Sequence, residues 1–175
     1  MSWLILLVAV GVAVAALFLS RRFLRNRGAR LVECPETHEP AAVSVNAVKA
    51  AAGGRLDLAQ CSRWPERERC GRECLAQIEE SPDGCLVRAM VTGWYADKSC
   101  AICGKAVGEV DWMDRKPALV DGQGGMVLWQ EVPAETLPRV LATHRALCFD
   151  CYVSETFRRQ HPELVIDNPW TSARS

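Results

Sequence analysis

The chain opens on an unbroken apolar run and changes its period several times after it. Trp3 to Leu19 (WLILLVAVGVAVAALFL) carries no charged residue. A hydrocarbon core of ~30 Å takes about 20 helical residues. Ser2, Ser20 and a snorkelling Arg21 bring the run to that length, so residues 1–20 are expected to form a transmembrane anchor. Residues 31–45 then show apolar stretches broken by Pro35 and Pro40, which predicts two short strands around a turn holding Cys34. The alanine-rich 46–52 stops at Gly53-Gly54, a short helix with a glycine end. Leu56 and Leu58 alternate with polar neighbours ahead of Cys61, a strand signal.

The period then becomes helical. Cys70, Cys74 and Ile78 recur at i, i+4 and i+8, which predicts one helix carrying all three on a shared face, ended by Pro82 and Gly84. Leu86, Met90 and Trp94 repeat that spacing in a second helix. Residues 106–113 and 126–132 alternate and predict strands, with turn chemistry between them at Asp121–Gly125. Residues 135–144 predict a short helix with Pro138 in its first turn, and 148–164 a final one. The pattern is α+β: an N-terminal transmembrane helix and then a small metal-stabilised domain. The expected parts are the anchor (1–20), a juxtamembrane segment (21–30), subdomains at 31–97 and 98–165, and a loose tail (166–175).

Charge gives the anchor a direction. The chain is formally neutral, but Arg21, Arg22, Arg25, Arg27 and Arg30 fall just behind the apolar run and nothing basic precedes it. A cleaved export signal has the opposite order. The positive-inside rule therefore predicts a single-pass protein of the inner, cytoplasmic membrane with its C-terminal body in the cytoplasm. The five arginines are expected at the membrane surface, setting topology and pairing with anionic head groups. Residues 31–175 hold 16 Lys and Arg against 21 Asp and Glu. That balance disfavours a nucleic-acid partner, for which phosphate contacts need a basic face.

Nine cysteines follow the anchor. In the reducing cytosol they read as metal ligands rather than as a disulfide framework. Cys100 and Cys103 (CAICGK) and Cys148 and Cys151 (CFDC) make two C-x-x-C pairs. Four thiolates suit tetrahedral Zn(II), each short loop presenting two sulfurs. Rubredoxin-type iron uses the same ligand set. His144, in HRALC, is an outside candidate for one ligand. A second, looser set is Cys34, Cys61, Cys70 and Cys74, with Cys85 as a substitute for Cys34 and His38 as an outside candidate. It fits a second zinc site, an iron–sulfur cluster, or buried cysteines acting as small hydrophobes.

CAICGK, with Gly104 directly after the second cysteine, resembles a zinc knuckle, and residues 98–162 resemble the zinc-ribbon and treble-clef class. The second pair running into a helix favours treble clef. The resemblance implies a structural metal and names no activity. A four-thiolate site is coordinatively closed, whereas catalytic zinc keeps an open position. The chain has no C-x-x-C-H, phosphate-cradling glycine motif or legible triad. Glu109, Asp111 and Asp114 read as a solvated hairpin. The expected function is non-enzymatic: a membrane-tethered zinc-binding interaction module, scaffold or accessory subunit, with the bilayer and other membrane proteins as partners. The competing readings are an electron-transfer protein carrying thiolate-bound iron and a regulatory nucleic-acid-binding zinc protein.

Overall fold

A computed structural model describes residues 2–164; the tail expected at 166–175 lies outside them. The chain divides into two compact units, one formed by the chain as far as Gly93 with 133–138, the other by 94–132 with 139 onward.

The first unit begins with helix α1 (Ser2–Asn26). Trp3–Asn26 is long and apolar enough to cross a membrane. The helix does not stop with the apolar run. It carries Arg21, Arg22 and Arg25 in its last turns, because no glycine or proline intervenes before Gly28, whose φ is +120°. Arg30 departs from expectation. It is fully buried in strand β1 (Arg30–Glu33), and its guanidinium donates to the carbonyls of Asn26 (3.1 Å) and Arg25 (3.0 Å). Arg30 therefore caps the negative end of α1 and, unlike Arg21, Arg22, Arg25 and Arg27, is not exposed.

β1, β2 (Pro40–Val45) and β3 (Leu58–Cys61) form an antiparallel sheet in that order, with Val32 opposite Ala41 and Val43 opposite Cys61. Its inward positions Val32, Ala41, Val43, Val45 and Leu58 meet Cys74 and Ile78 of helix α3 (Cys74–Glu80) in one core. Between β2 and β3 lies α2 (Ala47–Ala51), capped by Asn46, which accepts from the Lys49 N–H at 3.0 Å.

Two helix expectations need correction. α3 starts at Cys74, so Cys70 is not on it. Arg72 has φ +56°, and a left-handed residue cannot sit inside a right-handed helix. Cys74 and Ile78 do share the buried face. In α4 (Val87–Tyr95) the buried stripe is Val87, Val91 and Tyr95, while Leu86, Met90 and Trp94 are only partly covered. The two triads have the same spacing and differ in phase by one residue, about 100° of rotation.

The second unit holds a sheet of order β5-β4-β6, built from β4 (Ala118–Val120), β5 (Met126–Leu128) and β6 (Arg145–Leu147). The strand expected at 106–113 does not form; its one pairing is an isolated bridge between Ser99 and Ala106. Gly108 has φ +70°, and the Asp111 carboxylate accepts from the N–H groups of Met113 (2.8 Å) and Asp114 (3.1 Å), turning the chain locally. Helix α5 (Leu137–Thr143) carries Pro138 in its first turn, and α6 (Phe149–Gln160) directly follows Cys148.

Candidate metal centre

Cys100, Cys103, Cys148 and Cys151 come together. Their sulfurs all lie within 4.8 Å of one another, and Cys103 Sγ stands 3.9 Å from Cys148 Sγ. Four sulfurs at ~2.3 Å from a tetrahedral ion would be about 3.8 Å apart, so the donor set fits one metal ion. Among the described residues no other group of histidine, cysteine or carboxylate ligands gathers this closely.

Backbone geometry explains the convergence. At the first pair the Cys100 N–H donates to the Lys105 carbonyl (2.8 Å) and the Gly104 N–H returns to the Cys100 carbonyl (3.0 Å). That closed loop needs Gly104 at φ +71°. The Ala101 N–H donates to the Ala146 carbonyl (2.9 Å), tying the loop to β6. β6 leads straight into Cys148, the residue capping α6, and Cys151 follows within the helix's first turn. One cross-strand link thus brings the two pairs together. Cys100, Cys148 and Cys151 pack in a core with Ala118, Val120 and Leu147, while Cys103 closes the set from the exposed side.

The electrostatics suit a cation. Burial acts to raise the Cys100 thiol, but the backbone N–H groups of Cys103, Cys148 and Ile102 outweigh it and bring Cys100 down to about 6. Burial first, and then the neighbouring sulfurs of Cys148, Cys103 and Cys100, push the Cys151 thiol far up. Cys148 is raised as well, chiefly by burial. One thiolate among four sulfurs opposes ionisation of the others, and a divalent ion removes that opposition. His144 stays outside the cluster, its Nδ1 2.9 Å from the Thr143 hydroxyl.

The second cysteine set lies in the first unit. Cys34, Cys61, Cys70 and Cys74 line one cavity of about 120 Å³. Cys34 is held below the ordinary thiol value by the Thr37 hydroxyl and by the N–H groups of Thr37 and Glu36, against burial. Cys74 is raised, first by burial and then by the thiols of Cys61, Cys70 and Cys34. Cys85 stands apart, its thiol donating to the Gln77 carbonyl at 3.5 Å. His38 Nδ1 is 3.2 Å from a Glu33 carboxylate oxygen, with both side chains mostly exposed.

Compared with protein-family models, with curated proteins and with solved structures, the chain matches none. The reading of the site rests on its own geometry.

Proposed function

We propose that this is a single-pass, membrane-anchored zinc-binding protein whose cytoplasmic body is a non-enzymatic interaction module, acting as a scaffold or accessory subunit of a membrane complex. The observation that carries the reading is the four-sulfur cluster at the edge of the second unit's core, with Cys100 buried and Cys103 exposed. An ion held by four protein sulfurs has no free position for substrate. Its effect is to cross-link a small sheet and helix whose apolar core is slight. The order of knuckle, antiparallel sheet and helix supports a treble-clef-like module. Val153 and Phe157, one turn apart on α6, are exposed apolar side chains in keeping with a binding surface. α1 supplies the anchor, and the arginines behind its apolar run favour a cytoplasmic body, where thiols stay reduced.

The test is the full chain purified in mild detergent. Colourless protein containing zinc is expected. Red or brown protein containing iron at Cys100, Cys103, Cys148 and Cys151 overturns the zinc assignment in favour of electron transfer. Topology is read on intact cells, where a membrane-impermeant thiol reagent should leave the cysteines unmodified. Labelling from outside overturns the cytoplasmic placement.

A further inference from the structure

We propose that Cys34, Cys61, Cys70 and Cys74 form a second all-thiolate metal centre in the first unit, taking a thiolate-seeking metal, zinc or iron. This goes beyond the function proposed above, which rests on the other four cysteines.

The first support is a repeated backbone device. The Cys34 N–H donates to the Glu39 carbonyl (2.9 Å), and the His38 N–H donates to the Cys34 carbonyl (2.8 Å). Cys100 makes the same two bonds, to the fifth residue after it and from the fourth. The fourth residue has positive φ in both loops, +54° at His38 and +71° at Gly104. A histidine held there is uncommon for a side chain with a Cβ. In the second unit this loop presents a sulfur to a metal set. In the first, Thr37 takes the place corresponding to Cys103, so the loop offers one sulfur instead of two.

The remaining sulfurs come from Cys61, Cys70 and Cys74. The Cys61 sulfur accepts the Arg63 N–H at 3.5 Å, the kind of bond that stabilises a metal-bound thiolate. Cys74 is buried on the face of α3 that joins the core, and Cys70 precedes it on the turn. All four line the same cavity. A cysteine serving only as a small hydrophobe fills space, but these surround it. Cys85 shows the contrast: it packs against the same core without lining the cavity.

The surroundings suit an anionic centre. A divalent ion with four thiolates carries a net charge of −2; Arg63, Arg67 and Arg72 line the cavity with Glu36 and Glu73, and each of these arginines is also paired with a carboxylate, of Glu39, Glu36 and Asp57 respectively. Arg63 Nε and Trp64 Nε1, beside Cys61 in the chain, are buried donors without a hydrogen-bond partner. The four sulfurs are not drawn as close as those of the second unit. A single ion would pull them together. A sulfide-bridged iron core, with several metal corners, takes a wider set of thiolates than one ion does.

The full chain, purified anaerobically in detergent, is assayed for zinc, iron and acid-labile sulfide, and its apo form is titrated with Co(II). The expected result is two metal centres per chain, with thiolate-to-cobalt absorption still growing beyond the first equivalent. A second zinc identifies a single ion, and iron with sulfide and visible absorption identifies a cluster; either supports the centre. Cys61→Ser and Cys74→Ser should lose that metal and keep the one lost in Cys148→Ser, while Cys85→Ser keeps both. Cobalt absorption that saturates at one equivalent in the wild-type chain, which needs no variant to fold, overturns the proposal. So does retention of the second metal in Cys61→Ser and Cys74→Ser alike. Loss of the first centre alone, seen with Cys148→Ser as reference, would count against the function proposed above and leave this one standing.

Discussion

Cys103 Sγ lies 3.9 Å from Cys148 Sγ across 45 positions of chain. Nothing apolar in those two side chains accounts for such an approach. The contact is the edge of a tetrahedron whose centre suits a metal ion. Structural zinc contributes about 10–16 kcal/mol in small zinc-finger peptides at neutral pH, comparable with the whole stability of many domains, ~5–15 kcal/mol. A strong chelator should therefore unfold the second unit. Hydrogen exchange checks this: amides of β4, β6 and α6 should lose protection on chelation and recover it on adding zinc. Unchanged protection would mean that the unit stands without metal.

Zinc uptake should release protons in a defined pattern. Cys100, at about 6, is already ionised near neutral pH, whereas Cys148 and Cys151 are raised. Binding near neutral pH should thus free at least two protons, from Cys148 and Cys151, and essentially none from Cys100. The signs for the metal-free fold are opposite. The depressed Cys100 contributes stability that is present above its ordinary value of 9.0 and lost as pH falls through about 6. The raised pair contributes stability present below the ordinary value and lost as pH rises through the folded one. An indicator dye in weak buffer measures the release; zinc binding with no acidification would sink this account.

Gly104→Ala isolates the loop geometry. A Cβ at Gly104 meets nothing within 4 Å, but φ is +71°. The cost is backbone strain alone, about 1–2 kcal/mol. Zinc affinity should fall roughly ten-fold, with coordination intact by cobalt spectroscopy. A change of more than about a hundred-fold would show that the side chain, not φ, decides.

Tyr95→Phe tests a tie inside the second unit, which begins at Trp94. The buried Tyr95 hydroxyl donates to the Ala118 carbonyl on the central strand, and burial pushes its ionisation far up. Removing the donor loses one buried hydrogen bond and should cost about 0.5–1.5 kcal/mol. Denaturant unfolding followed by tryptophan fluorescence reads this, and a change under about 0.5 kcal/mol would mean that the bond is expendable.

Arg30→Met keeps the length of the side chain and removes the cap on α1. The Arg25 and Asn26 carbonyls lose charge-assisted donors worth about 1.5–3 kcal/mol each. Faster hydrogen exchange in the last turn of α1 is expected. If Arg30 instead served lipid binding, the variant would weaken association with anionic vesicles and leave that turn protected.

Much of this protein could be read along the chain. The apolar run from Trp3, the glycine stop after α2, Pro138 in a first turn and the C-x-x-C pairs are local signals, and each appears in the structure as a helix, a turn or a sulfur in place. They are legible because their physics is local: helix hydrogen bonds span four residues, and a glycine at positive φ needs no distant partner. Of the second unit's strands only β5 was legible, inside the alternation at 126–132. At three residues each, β4 and β6 are too short to show a period, while the longer alternation at 106–113 is overridden by Gly108 and Asp111.

The sequence by itself determined the cysteine pairs, the direction of charge behind the apolar run and the spacing of the helical stripes. Tertiary structure alone decided phase and partnership. It turned Val87, Val91 and Tyr95 inward in place of their neighbours, because spacing sets a period while packing sets its rotation. It took Arg30 out of the exposed run of arginines and into the fold, because unpaired carbonyls at a helix end draw a buried donor. It separated Cys85 from the four cysteines around one cavity, because a sulfur's partners depend on which strands pair, and strand pairing is not written at any single position.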